Sequence, residues 1–323
     1  MELLDIYLQS TTHKVLSQDI KSNMLSHCYL INAKDDLYLK SLARYATKEI
    51  FCVNENAPCN ECINCDKINH SNMVDVIIYP KGEKNLVVED INEIVNDCFI
   101  RPMEAKYKIY ILENFDFCTV QAQNKILKTL EEPPMNVIFI LTCTNSDNVL
   151  QTISSRAKKI FELPLTQSII ESYLSNKGIT NSSLFASMSD GNLTLADKLS
   201  SNPASVEIVN IVFDILKNLK SSKDILKFSS KIISLKKDFD FLLDTMISIL
   251  RDISVYGLTE QIIFKDRIND YQILSQVYTR EMIAKIIEKL KDIPCKMDFN
   301  CNMTGIVDQM LLDILEVKFL WQK

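Results

Sequence analysis

The sequence predicts an α/β domain built on a parallel sheet, followed by a long all-helical region. Three observations predict it. Near-continuous apolar runs recur through the first half: "CYLI" (28–31), "VDVIIY" (74–79), "KIYIL" (108–112), "VIFILTC" (137–143) and "KIFEL" (159–163). Helical patterns at 37–50, 89–99 and 119–132 separate them, the last closed by Pro133-Pro134. After Pro164 the strand-like runs fade. Strands apolar along their whole length suit a sheet covered on both faces, and strand–helix repetition implies parallel strands joined by right-handed crossovers.

Residues 166–200 read as three short helices broken at Gly178 and Gly191. From Pro203 there is no proline until Pro294, and stretches such as "VEIVNIVFDILKNL" and "FLLDTMISILRDI" space apolar residues by three and four. Residues 205–323 therefore read as a separate helical domain. A chain of 323 residues is too long for one ordinary core, so two or three domains are expected. No apolar run reaches membrane-spanning length, and Glu2 and Asp5 stand where a signal peptide would be basic and then apolar. The cytoplasm is the expected compartment. A net charge of −6 gives the whole chain no electrostatic drive toward nucleic acid, so any DNA contact has to be local or made through partners.

The first element, "YLINAKDDLYLKSLARYA" (29–46), is a strand ending near Ile31, a tight turn, and a helix whose face carries Leu39, Leu42, Ala43 and Ala46. Strand, turn, helix is how many nucleotide-binding folds hold phosphate, with glycines that let backbone N–H groups curl around it. Here the turn "NAKDD" has no glycine, and the first glycine of the chain is Gly82.

Next comes "CVNENAPCNECINC", which spaces Cys52, Cys59, Cys62 and Cys65 by six, two and two residues. Two-residue gaps let successive thiolates turn onto one ion, and four thiolates make a closed tetrahedral zinc site with no position left for water. The expected role of the zinc is structural. Four reduced, unliganded cysteines and a redox Cys-x-x-Cys pair are the alternatives. The first is disfavoured by the tight clustering in a polar loop, and the second by the lack of a thioredoxin-like strand–helix setting.

Three further stretches carry a resemblance. "KIYILENFDFCT" (108–119) looks like a Walker B strand, "NKILKTLEEPP" (124–134) is a helix ending in two glutamates and two prolines, and "VIFILTCTNSDNVLQTISSRAKKIFELP" (137–164) runs from a strand through Ser-Ser-Arg into another strand. In this order, downstream of a four-cysteine insertion, they closely resemble the bacterial DNA polymerase III clamp-loader family of AAA+ proteins, which comprises the gamma/tau ATPases and the delta-prime subunit. The resemblance covers residues 1 to about 200, and "MTGIVDQMLLDILEVK" resembles the last helix of the family's collar domain. It implies an α/β AAA+ domain over 1–165 with a four-cysteine zinc module at 52–65, a small helical lid over 166–204, and an all-α collar over 205–323.

Where the family's ATPases carry Gly-Pro-x-Gly-x-Gly-Lys-Thr, this chain has Ala33, Lys34, Asp35, Asp36, Leu37, Tyr38, Leu39 and Lys40. Leu39 takes the lysine position, Lys40 the magnesium-binding hydroxyl position, and Asp35 and Asp36 would repel triphosphate. The Walker B acidic pair is Glu113-Asn114, and the family's Gly-Ser-x-Arg, whose arginine senses the γ-phosphate, is Gly191-Asn192-Leu193-Thr194. Losses at three separated points imply a chain that neither binds nor hydrolyses ATP, as the family's ATP-free branch does.

What remains is Arg156. The resemblance implies an arginine finger offered in trans to a neighbouring subunit's ATP, with Ala157 where the family has cysteine. The alternative is a surface arginine at the start of a strand. Lys125 and Lys128 share a helix and could meet DNA phosphate inside a ring, or form an ordinary solvated face. His27 is taken as structural, His13 and His70 have no partner visible in sequence, and Trp321 is taken as a packing anchor. The expectation is a cytoplasmic subunit, nucleoid-associated at replication forks. It would sit in a hetero-pentamer with gamma/tau-type ATPases and a delta-type subunit, and would reach the sliding clamp and primer-template DNA through that complex. An active gamma/tau-type ATPase and a stand-alone zinc-containing nucleic-acid-binding protein are the alternatives.

Overall fold

In the computed structural model the described residues are 1–82, 85–258, 262–264, 267–293 and 302–320; Trp321 lies outside them. Five parallel strands form one sheet: β1 (Cys28–Asn32), β2 (Val76–Tyr79), β3 (Lys108–Leu112), β4 (Val137–Cys143) and β5 (Lys158–Phe161). Their order is β2-β3-β4-β1-β5, so β1 lies between β4 and β5, pairing Leu30 with Leu141 and with Lys159. All five match the expected apolar runs. The central strands β3 and β4 are buried along their whole length, while the edge strands β2 and β5 are partly open, as a sheet covered by helices requires.

Two helices that the strand–helix alternation does not predict precede β1: α1 (Leu3–Gln9) and α2 (Thr11–Lys21). The crossovers are α3 (Asp36–Phe51), α4 (Ile63–Asn69), α5 (Val88–Asp97), α6 (Val120–Glu131) and α7 (Gln151–Ser154). Local chemistry sets their ends. Thr119 caps α6 by accepting from Ala122 N at 3.2 Å, and Pro133-Pro134 stops it. Leu30, Tyr110, Leu112, Ile126, Phe139 and Leu141 belong to the core between sheet and helices.

Beyond β5 the described residues are helical: α8 (Gln167–Asn176), α9 (Ser182–Met188), α10 (Leu193–Ser201), α11 (Ala204–Asn218), α12 (Ser222–Ser234), α13 (Phe239–Val255), α14 (Ile268–Val277), α15 (Arg280–Lys291) and α16 (Met303–Leu320). None is long and apolar enough to cross a membrane. The chain divides into two compact units, Met1–Ser182 with Ser189–Asp197, and Ser183–Met188 with Lys198–Lys323. The segment 166–204, expected to form a lid of its own, is shared between them.

The second unit packs α11 to α16 around Phe213, Phe228, Phe239, Leu242, Met246 and Ile314. The C-terminal end of α11 is closed from two sides. Tyr278 Oη donates to Leu216 O at 2.8 Å, and buried Lys318 donates to Leu216 O at 3.2 Å and Leu219 O at 3.0 Å. These bonds satisfy carbonyls that a helix end leaves unpaired. No carboxylate pairs with Lys318 among the described residues. Burial, with Lys220 nearby, lowers its ammonium from 10.5 to about 8.

The sign of the pH effect follows. Between about 8 and 10.5 the unfolded chain holds this proton and the folded chain does not, so the cost of burial is full below 8 and vanishes toward 10.5. Relative to Lys318→Met, the wild type should gain up to about 3 kcal/mol across that interval. Urea denaturation of both proteins at matched pH values reads this directly; a pH-independent difference would contradict it.

Candidate functional site

The site grows from the C-terminal end of β1. Ala33 continues the strand, donating from N to Cys143 O at 3.2 Å, and Asp35 then caps α3. Capping by aspartate is ordinary local chemistry, but this carboxylate does more. Asp35 is buried, and Oδ1 accepts from Tyr38 N at 3.1 Å and Thr194 Oγ1 at 2.6 Å. Leu193 N donates to Oδ2, and Thr194 N lies 3.3 Å from both oxygens. Thr194 Oγ1 in turn accepts from Leu37 N at 2.9 Å, and Asn192 Nδ2 donates to Lys34 O at 3.1 Å. The amides of Leu37, Tyr38 and Leu39 are all taken within the chain, the last by Asp35 O at 2.9 Å. Those of Leu37 and Tyr38 are donors with which a helix start would cradle a phosphate, while that of Leu39 makes the first ordinary bond of the helix.

The other altered positions fit the same picture. Leu39 is fully buried and belongs to the core. The ring of Tyr38, also buried, directs its hydroxyl to Glu162 Oε2 at 3.4 Å. Lys40 pairs with Asp36 at 2.9 Å and lies 3.9 Å from Glu113, at the end of β3. Burial pushes the Glu113 carboxyl up, with Lys40 and Arg44 opposing. Asn114 follows in the left-handed region with φ 53°, its N–H donating to Thr142 Oγ1 at 3.1 Å. Ala33, Asp36, Tyr38, Leu39, Lys40, Glu113 and Asn114 are thus brought to one end of the sheet. An open cavity of about 770 Å³ lies elsewhere, lined by Asp116, Gln123, Asp147 and Phe161 among others, and no residue of 33–40 lines it.

Gly191 brings the two segments together. Its φ is +81°, and a Cβ there would sit 2.7 Å from Leu165 O and 2.8 Å from Pro164 Cβ. Leu165 N donates to Gly191 O at 3.1 Å, and this close approach delivers Asn192 to Thr194 onto the loop.

Arg156 follows α7 and is about one-third exposed. Its Nη2 meets Glu131 Oε1 at 2.6 Å and Nη1 donates to Thr152 O at 2.7 Å. Among the described residues it contacts none of 33–40 in this way. Lys125 and Lys128 are exposed on α6.

The four cysteines converge. Cys52 ends α3, Cys62 caps α4 and Cys65 lies within it; with Cys59, their Sγ atoms all lie within 4.8 Å of one another. A tetrahedral zinc centre of four thiolates, with bonds of about 2.3 Å, needs sulfurs about 3.8 Å apart, and Cys52 and Cys62 Sγ stand at 4.0 Å. The N–H groups of Cys59 and Cys62 point at Cys52 and Cys59 Sγ at 3.5 and 3.3 Å. Burial pushes the Cys62 thiol up, but the N–H groups of Cys65 and Val53 and the neighbouring thiols outweigh it and bring it to about 6. The set fits a zinc ion.

Sequence reasoning missed a second buried network. Glu49 Oε2 accepts from Tyr7 Oη and meets His13 Nδ1 at 3.1 Å. Its members come from α1, α2 and α3, too far apart in the chain for spacing to reveal. His70 pairs with Asp66 at 3.3 Å on the same helical turn. The sequence reading also missed Asp35 as a cap, for which its place before a helix was the available signal; its partners at 193–194 left no local signal.

Residues 8–166 match the family model described as DNA polymerase III, delta subunit. Over almost the whole chain, 96% of it and 97% of the relative, the sequence is 25% identical to the DNA polymerase III subunit delta' of Bacillus subtilis. The chain belongs to the DNA polymerase III clamp-loader family. Its parallel sheet with flanking helices and cysteine insertion is the AAA+ domain of that family, and its C-terminal region is helical. Clamp-loader relatives of the other kind match only in part. The tau/gamma subunit of Haemophilus influenzae is 30% identical over 53% of this chain and 25% of its own length, and the gamma/tau subunit of Mycoplasma genitalium 32% over 50% and 27%. The chain spans about a quarter of the length of these two.

Two outcomes test the site. Gly191→Ala forces a Cβ against backbone in a left-handed conformation and should cost at least about 2 kcal/mol, read as a lowered urea midpoint. Wild-type protein purified without chelator should carry one zinc per chain by metal analysis, and Cys62→Ser should carry much less and melt at lower temperature; equal zinc content in both would remove the four-thiolate centre.

Proposed function

We propose that this chain is the ATP-free, delta-prime-type subunit of the DNA polymerase III clamp loader. The observation that carries this reading is the phosphate position at the start of α3, whose N–H donors are bonded to Asp35 and Thr194. Leu39 buried at the lysine position and Lys40 tied to Asp36 and Glu113 support it. The end-to-end similarity to a delta' subunit, against partial similarity to gamma/tau subunits, points the same way. In this reading the chain neither binds nor hydrolyses ATP, and zinc at Cys52, Cys59, Cys62 and Cys65 is a structural staple of the AAA+ domain.

The chain would join gamma/tau-type ATPases and a delta-type subunit in a hetero-pentamer, with helical collars closing the ring. It would act on the sliding clamp and primed DNA through that complex, in the cytoplasm at the replication fork. Residues 166–204 would serve as the lid between AAA+ domain and collar. Arg156 would supply a finger to a neighbour's ATP: a guanidinium is always charged and can fork two donors onto phosphate oxygens. Its present partner, Glu131, is an exposed carboxylate that such a phosphate would displace. Lys125 and Lys128 could add sequence-independent phosphate contacts.

The test is the clamp- and DNA-stimulated ATPase of the reconstituted loader with wild-type chain and with Arg156→Ala. Fingers are worth roughly 10³–10⁵ at the site they serve; in this reading the sites turn over together in one loading cycle, so a fall of about tenfold or more is expected, with assembly intact by size exclusion. An unchanged rate in an intact complex would reduce this chain to a scaffold. Equilibrium dialysis of the chain with labelled ATP should give no binding; stoichiometric binding would favour an active gamma/tau-type ATPase.

A further inference from the structure

The starts of two helices converge on one buried carboxylate. Tyr38 N, in the first turn of α3, and Leu193 N and Thr194 N, in the first turn of α10, all donate to Asp35, and Thr194 Oγ1 adds a fourth donor at 2.6 Å. A helix start presents unpaired N–H groups and the positive end of its dipole, and so favours an anion. Two such starts are aimed at one point closed off from water. Here the anion comes from the backbone residue that caps α3. Because it is covalently held, no diffusing anion can compete at ordinary concentrations.

The polarity of the contact is the one implied for the family's ATPases, in which an arginine on the second segment reaches a phosphate held by the first: negative charge on the first segment, donors on the second. In this chain the first segment supplies the negative charge and the second supplies only N–H groups and a hydroxyl. Thr194 also closes the loop in the other direction by accepting from Leu37 N, and Asn192 pins Lys34 O. Asp35 and Thr194 are therefore bonded to each other and each to the other's helix start.

Resting on the reading that this chain carries no nucleotide, we propose that Asp35 is a tethered stand-in for phosphate. It holds the segment 191–194 against the loop 33–37 permanently, so that this contact does not respond to ATP or ADP. Asp35 acts as a positioning residue.

The experiment is hydrogen exchange of the full-length chain, following the peptide spanning 189–199. In the wild type, exchange should be the same with and without Mg-ATP. Asp35→Asn keeps the shape but removes the charge and presents N–H to N–H, so exchange of this peptide should rise by about tenfold or more, the effect of losing one hydrogen bond to a charged group. Thr194→Val, which keeps the carboxylate, should accelerate the same peptide by a smaller factor and carries the test if Asp35→Asn does not fold. Exchange within about twofold of wild type in a folded Asp35→Asn, or in Thr194→Val, would overturn the lock. Binding of labelled ATP by the wild type would instead sink the nucleotide-free reading, an outcome the exchange data alone would not produce.

Discussion

A buried carboxylate must be fully hydrogen-bonded or it costs several kcal/mol, and Asp35 meets that demand by drawing two helix starts together. Much of the end of the sheet follows from this one constraint. Because Asp35 takes the Tyr38 amide and Thr194 the Leu37 amide, the turn after β1 needs no glycine to expose them. Because Leu193 and Thr194 must reach Asp35, the chain between α9 and α10 has to pass close to Leu165. Only glycine at 191 fits that approach. The absence of a glycine in one loop and the requirement for one in another are thus two sides of the same contact.

The remaining charges arrange themselves around it. Lys40 neutralises Asp36 and approaches Glu113, and burial pushes the Glu113 carboxyl up. The pairs here and at the surface, Arg156 with Glu131 among them, contribute little to stability while exposed to solvent.

The four-cysteine centre and the helical unit are independent solutions to local problems. The insertion between α3 and β2 is short, polar and largely without secondary structure, so a metal crosslink is what can order it. In the helical unit the end of α11 is satisfied by Tyr278 and Lys318 rather than by a glycine motif. The lysine does this at the cost of carrying a buried ammonium.

The sequence by itself determined a good deal. It set the five strands, the helices α3, α5 and α6, the clustering of the four cysteines and the residues that depart from the family's nucleotide motifs, because each is written in short-range patterns: apolar runs, helical spacing, two-residue cysteine gaps, glycines missing from a loop. It did not reveal α1 and α2, whose burial depends on Glu49 and Glu162 far along the chain, with Tyr7, His13 and the amides of Thr11 and Thr12 as partners. Nor could it say that Asp35, read as repelling a triphosphate, has its donors at Leu193 and Thr194. Only the tertiary structure decided that. A carboxylate's partners across more than 150 residues are chosen by how the chain packs, and no local spacing encodes them.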